Sequence, residues 1–515
     1  MVLEWYGGCF AVGMNSRCRF ESLALAGAVA TARFVFRSHR LYDIDSVNLA
    51  LAMKRFDTSV HQPQPPGYFL YICLARISAV FLHDANLALV MLSICASMGT
   101  VVVTYLLAAN WFGIRAAQFA GLLFLVSPLA WFYGTVALTY AVEAFFASLL
   151  GYLCWRVDDG ASSLISPTAF ILGIAAGVRP SILLFMGPLF LFSLRSTQRK
   201  KWIAGVSILI LTLLAWFLPM VSSSGGLRLY FSALLSLWQS VPAKSTVFNS
   251  SPATSIARAC TIIFIYFLCF GMASLIPLTA RWHKIEVDSR KKIFTIVWVS
   301  PAFLFFTFIF LKFVNSGYLL LLLPPTCIWL GFLASYWFES DSSKKLKLAM
   351  ILIGVAANVF IFIDAPLYCS YRSVRRSEVE VESILKSLPK LGSAETTLIV
   401  GFDSHFLGYR HAGYYLPQYF TIEYPEVPLK QGPRIFAMRD GDTRLMTELP
   451  VASYSKFILF PLPNGDIAYT KYLQEVIRKL PLQGLTRVCV DNHEFVIGPI
   501  SDLPLLFPKA HLVGH

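Results

Sequence analysis

Apolar and polar residues along this chain alternate in blocks rather than in single steps. Apolar runs of about 15 to 24 residues recur, the length a helix needs to cross a bilayer. They predict about eleven spans, near 22–37, 86–108, 115–132, 135–155, 164–178, 181–194, 203–220, 256–279, 293–311, 316–338 and 347–364. From about residue 370 the pattern changes. Short bursts such as TTLIVGF, FTIEYP, RIFAMRD, KFILFP, RVCVDN and EFVIGP read as strands. Helical patterns at 372–388, 404–416 and 466–480 fall between them. The predicted fold is a polytopic α-helical membrane domain, residues 1–366, followed by a small soluble α/β domain, residues 370–515.

Composition agrees with that reading. The 515 residues are 56% hydrophobic and only 14% charged, against about 25% charge in soluble domains. The formal net charge is +14, but the basic residues lie mainly in short loops between spans. This is the positive-inside signal rather than a nucleic-acid surface. The ten cysteines are scattered, with no CxxC or Cys/His cluster to suggest zinc or redox chemistry.

The stretch 66–83 is apolar but holds Arg76. If it lies along the membrane surface, about fourteen basic residues fall in loops on the N-terminal side and about four on the other. Counting it as a span would put the N-terminus and the basic loops on opposite sides. The expectation is an interfacial helix inside an external loop, 38–85, with the N-terminus cytoplasmic and the C-terminal domain external.

The polar loop YDIDSVNLALAMKRFDTSVHQPQPPGYFLY, Tyr42 to Tyr71, carries the densest candidate chemistry. It holds Asp43, Asp45, Asp57 and His61 before a Pro65-Pro66-Gly67-Tyr68 turn. A single acid at the start of the helical pattern SVNLALAMKRF would be an ordinary N-cap; several acids and a histidine exceed that need. Glu143 sits in the apolar run WFYGTVALTYAVEAFF, where an acid is costly and marks function by default. Arg179 in GVRPS and Lys312 in LKFVNSGY run against the charge bias on the outer side, where cations could hold a lipid phosphate. In the tail, Asp403, His405 and His411 in GFDSHFLGYRHAGYYLP read as aromatic-rich packing. No P-loop, GxSxG or HExxH occurs.

These features resemble the GT-C glycosyltransferases, above all protein O-mannosyltransferases, aminoarabinose transferases and bacterial proteins with a DSxxxxxA…HPPGYxxY loop. The family's D-E-x-x-F/Y falls on Asp45-Ser46-Val47-Asn48-Leu49, its HPP on Gln64-Pro65-Pro66, its second acid on Glu143, and its late tyrosine with prolines on Tyr318 to Pro324-Pro325. Gln64 departs from the family's histidine or lysine, and the resemblance covers roughly residues 20–340. It implies sugar transfer from a polyprenyl-phosphate carrier to a lipid, glycan or protein acceptor on the outer face of a membrane, the cytoplasmic membrane of a bacterium being expected. Asp45 would act as general base with inversion, with Glu143 and Asp43 as further acids. His61, Arg179, Lys312, Tyr318 and Tyr68 would bind the lipid phosphate and substrate. A divalent cation, Mg or Mn, is a possible cofactor, and nucleic acid is not a partner. The competing expectation is a lipid or solute transporter, although neither inverted repeats nor matched broken helices are visible.

Overall fold

The computed structural model describes residues 16–515 apart from several stretches, the longest being 274–285, 425–434 and 460–484. The helix expected at 466–480 and the residues Asp403 and Lys244 lie outside the described residues. The chain folds as two compact units. The first comprises the chain up to Arg37, Tyr68–Met220 and Leu234–Ser373. The second comprises Ser38–Gly67, Val221–Ala233 and the chain from Val374. The acidic loop, grouped on sequence with the membrane domain, therefore packs with the C-terminal residues.

The first unit is helical, and each of the eleven apolar stretches carries a helix. In order these are α1 (Ser16–Val35), α4 (Ala85–Phe112), α5 (Ile114–Val126), α7 (Tyr140–Asp158), α8 (Ile165–Val178), α9 (Ser181–Ser193), α10 (Arg199–Ser223), α12 (Pro252–Phe270), α13 (Ser289–Phe308), α14 (Leu323–Glu339) and α15 (Lys344–Asp364). Six helical stretches among the described residues are long and apolar enough to cross a membrane: Ala85–Phe112, Arg199–Ser223, Pro252–Phe270, Ser289–Phe308, Asn315–Glu339 and Lys344–Asp364. The protein is an integral membrane protein. The remaining helix of the loop region, α3 (Phe69–Leu82), has 14 residues, about 21 Å of helix, short of a hydrocarbon core of about 30 Å.

The apolar run around residue 130 is not one helix passing into the next. α5 stops at Val126, a six-residue helix α6 (Pro128–Tyr133) follows, and residues 134–139 are irregular before α7 begins. Pro128 cannot donate to the preceding turn, so it opens a new helix instead. The carbonyls freed at the end of α5 are taken by Arg33, a fully buried residue of α1. Its Nη1 donates to Leu125 O at 2.9 Å and its guanidinium lies over the Trp131 ring at 5.3 Å. Within 134–139, Ser93 Oγ donates to Val136 O and Leu138 O, at 3.0 and 3.1 Å. Irregular backbone at membrane depth survives only where protein supplies such partners. This buried break delivers Thr139, Tyr140 and Glu143 to one place.

In the second unit the acidic loop forms α2 (Ile44–Lys54), and the C-terminal residues form a seven-stranded sheet. Its strands are β1 (Thr397–Gly401), β2 (Phe420–Glu423), β3 (Ile435–Arg439), β4 (Asp442–Met446), β5 (Lys456–Leu459), β6 (Thr486–Val490) and β7 (His493–Pro499), in the order β4-β3-β2-β1-β5-β7-β6. β1 pairs in parallel with β2 and β5, and the remaining pairings are antiparallel. Side chains of β1 alternate between two cores. Leu398 and Val400 join one with Phe457 and Ile422. Ile399 joins the other under α16 (Tyr371–Leu391) and α17 (Tyr409–Tyr415), with Ile384, Leu388 and Ala412. All six strands read from the sequence are present. The missed one, β4, follows β3 through Asp440-Gly441, both at positive φ, the two-residue hairpin turn that right-twisted strands favour.

Candidate functional site

In the first unit the site is built around Arg179. This residue ends α8, and Pro180 follows it, so the chain turns here and α9 starts at Ser181. The guanidinium is buried among α7, α8 and the 3₁₀ turn Phe313–Leu322. Its Nε lies 2.8 Å from Glu143 Oε2, and its Nη1 donates to Thr139 Oγ1. Ser181 Oγ donates to the other carboxylate oxygen, Glu143 Oε1, at 2.8 Å. Three tyrosine rings enclose the cation: Tyr140 at 4.4 Å, Tyr318 at 4.7 Å and Tyr68 at 5.6 Å from Cζ to ring centre. Ring faces carry negative charge and attract a desolvated guanidinium.

Tyr68 reaches this place by way of a strained backbone. It is the residue after the Pro65-Pro66-Gly67 turn, it caps α3, and its φ is +47°. A bulky residue in the left-handed region is held there only when its surroundings demand it, and such strain clusters at working sites. Tyr318 is set by a close approach behind it. A Cβ on Gly317 would lie 2.5 Å from the Tyr140 ring and 2.8 Å from that of Tyr133, so only glycine lets these rings meet. Tyr133 Oη and Ser316 Oγ share a hydrogen bond of 3.2 Å on the same turn.

Of the residues singled out on sequence, Glu143, Arg179, Tyr68 and Tyr318 come together. Lys312 does not join them: it is exposed, at the start of the 3₁₀ turn, with no hydrogen bond or ion pair among the described residues. Tyr140, Thr139 and Ser181 escaped the sequence reading. Their signal was their nearness to Glu143 and Arg179, legible only once those two are known to pair.

Asp43, Asp45 and His61 belong to the second unit. Asp43 is buried and caps α2, its Oδ1 accepting from Asp45 N at 2.8 Å. Asp45, half-buried, occupies the first turn, where the helix dipole favours an ionised carboxylate. Asp57 caps the next short turn, Thr58–Val60, and pairs with Arg55 at 2.8 Å. His61 ends that turn at φ +58° and packs on Phe436, ring centres 5.4 Å apart. Burial, and then the nearby Arg410 cation, pull its pKa down to about 3. Arg410 itself, buried, donates to the carbonyls of Val60 and His61 at 3.0 and 3.4 Å. The loop is thus bolted to α17 by a cation some 350 residues away.

A divalent cation finds little to hold it. Among the described residues no three His, Cys, Asp or Glu side chains gather at one point. Both oxygens of Glu143 are taken, by Arg179 and Ser181. The donor set does not fit a protein-built cage of hard oxygen ligands.

Fold and site together define a class: a polytopic helical unit with an acidic loop and an appended α/β sheet is the architecture of the GT-C membrane glycosyltransferases. Residues 58–202 match the model of the N-terminal domain of the protein O-mannosyl-transferase TMEM260. That span contains His61, Tyr68, Glu143 and Arg179 and begins after Asp45. Among solved structures the chain is similar to ArnT from Cupriavidus metallidurans bound to undecaprenyl phosphate, with TM-score 0.58 and 14% identity over 95% of this chain and 98% of that one. The apo form of the same protein gives TM-score 0.54 and 12% identity over 94% and 98%. No curated protein sequence matches the chain.

Proposed function

We propose that this protein is a membrane glycosyltransferase that moves a sugar from a polyprenyl-phosphate carrier to an acceptor hydroxyl at the outer face of the membrane. The observation that carries the reading is the likeness to ArnT, a protein solved with undecaprenyl phosphate, over nearly the whole length of both chains. Fold alone does not set function. Support at residue level comes from an arginine held under three tyrosines, and from a carboxylate at the start of a loop helix.

In the proposed reaction Asp45 removes the proton of the acceptor hydroxyl as its oxygen attacks the anomeric carbon. The bond from that carbon to the phosphate oxygen breaks on the opposite side, so configuration inverts. The departing polyprenyl phosphate carries the electron pair. Arg179 supplies positive charge towards that phosphate, and a guanidinium already aligned by Glu143 and Thr139 costs no reorganisation when charge develops. Glu143 therefore serves as the counter-ion that orients Arg179. No step is routed through a metal ion. The expected setting is the cytoplasmic membrane of a bacterium, with the C-terminal unit outside.

The test is direct. The full chain, purified in lipid nanodiscs, receives undecaprenyl-phosphate mannose labelled in the sugar, with membranes of the source cells as acceptor. Transfer with inverted configuration supports the reading. Movement of intact labelled lipid across the bilayer without transfer would replace it with a transporter.

A further inference from the structure

We propose that His405, on the loop leaving β1, is the residue that binds the acceptor, presenting an imidazole nitrogen to one of its hydroxyl groups. The proposal rests on the glycosyltransferase reading above and adds a substrate-contacting residue from the C-terminal α/β sheet.

Three observations converge on this histidine. The first is its contact with the acidic loop. His405 Nδ1 lies 3.8 Å from Asp43 Oδ2, and the other oxygen of Asp43 accepts from Asp45 N. Ile44 N donates to His405 O at 2.7 Å, so the carbonyl of His405 takes up one of the amides that the first turn of α2 leaves open. His405 is thereby registered against residues 43, 44 and 45, the last being the proposed base.

The second is the unequal exposure of the pair. The Asp43 side chain is 7% exposed and that of His405 is 53% exposed. One end of the ring faces a buried carboxylate, and the rest is open. A carboxylate beside Nδ1 holds the proton on that nitrogen, which leaves the Nε2 lone pair free to accept a hydrogen bond. A histidine needed only for packing, as the sequence suggested, would be covered like His411, which is fully buried on the helix that follows.

The third is the place of the loop in the sheet. Strand order reverses at β1: β2, β3 and β4 lie on one side, and β5, β7 and β6 on the other. β1 runs parallel to both neighbours, and His405 follows its carboxyl end. In open α/β sheets this is where ligands bind.

The experiment compares His405→Ala, His405→Gln and His405→Asn in the full chain, with labelled undecaprenyl-phosphate mannose and increasing amounts of source-cell membranes. The Gln side chain places its amide near the position of Nε2, the Asn side chain near that of Nδ1. We expect His405→Ala to raise the apparent acceptor KM about tenfold, the cost of one lost hydrogen bond. Donor KM and slow donor hydrolysis by water should be unchanged, which also reports that the variant is folded. Gln should restore most of the acceptor affinity and Asn should not. Restoration by Asn but not Gln would show that the ring matters only through Asp43 and would overturn the proposal. Unchanged acceptor KM in all three would also overturn it while leaving the glycosyltransferase reading intact. Absence of transfer by the unaltered protein would instead remove that reading.

Discussion

Arg179 and Glu143 form an ion pair of 2.8 Å whose side chains are 4% and 2% exposed. A pair so enclosed is costly to assemble and costlier to break. Removing one member of a buried pair strands a charge, at about 3–5 kcal/mol. Glu143→Gln should therefore lower the thermal unfolding temperature in detergent and reduce transfer. Glu143→Gln combined with Arg179→Met should destabilise less than the two single losses summed, with a coupling of at least about 1 kcal/mol. A Glu143→Gln protein as stable as the unaltered one would show that the pair does not form.

Arg179→Lys keeps the charge and loses the geometry. Lysine has no planar fork to serve Glu143 and Thr139 together and does not stack flat among Tyr68, Tyr140 and Tyr318. We expect transfer to fall at least about tenfold, a loss of about 1.4 kcal/mol of transition-state stabilisation. Steady-state rates measured beside a melting curve would separate this from unfolding.

Gly317→Val tests the aromatic enclosure from behind. The added carbons would enter the Tyr140 ring, and overpacking of this kind costs about 1–3 kcal/mol. Transfer should fall although no charged residue has changed. Full activity would mean that the position of Tyr140 does not matter.

Acid should loosen the second unit. Burial draws the pKa of His411 down to about 3, and burial with the Arg410 cation does the same for His61. In the unfolded chain both would titrate near 6.5. Between those values the unfolded state binds more protons, so stability is lost as pH falls through the window, by up to about 1.4 kcal/mol per pH unit for each histidine. His411, wholly enclosed, should contribute more than the half-buried His61. Melting of the C-terminal unit followed from pH 7 to pH 5 should shift downward, and less so in His411→Phe. A flat profile would contradict the burial of both rings.

Much of the fold was legible in the sequence because it follows from local pattern. Eleven apolar runs became helices, and six short bursts became strands. The break at 127–139 was not legible. Its sequence is apolar throughout, and what permits irregular backbone there is Arg33 and Ser93, brought from other helices. Arg33 carried a signal as a charge inside an apolar run, but its partners are carbonyls, which no side-chain pattern reveals. Glu143 and Arg179 were each visible as costly charges. Their pairing was not, because it depends on how α7 meets the turn between α8 and α9. The loop 38–67 read as a membrane-edge element, and its attachment through Arg410 and His405 spans some 350 residues, beyond the reach of any local motif.

Asp43 and Asp45 are two residues apart and should behave differently. Asp43 caps α2 through a backbone amide, and asparagine caps about as well as aspartate. Asp43→Asn should therefore retain most transfer, whereas Asp43→Ala should cost about 0.5–2 kcal/mol of stability. Thermal melts and rates of both variants would check this; a dead but folded Asp43→Asn would move the base to Asp43.

The central claim is that Asp45 is the general base of a sugar transfer. The most direct measurement is the rate at which folded Asp45→Asn transfers mannose from undecaprenyl-phosphate mannose to membrane acceptors, with donor binding measured in parallel. The prediction is a loss of about 10²- to 10⁴-fold with donor affinity retained. Transfer within a few-fold of the unaltered protein would contradict it.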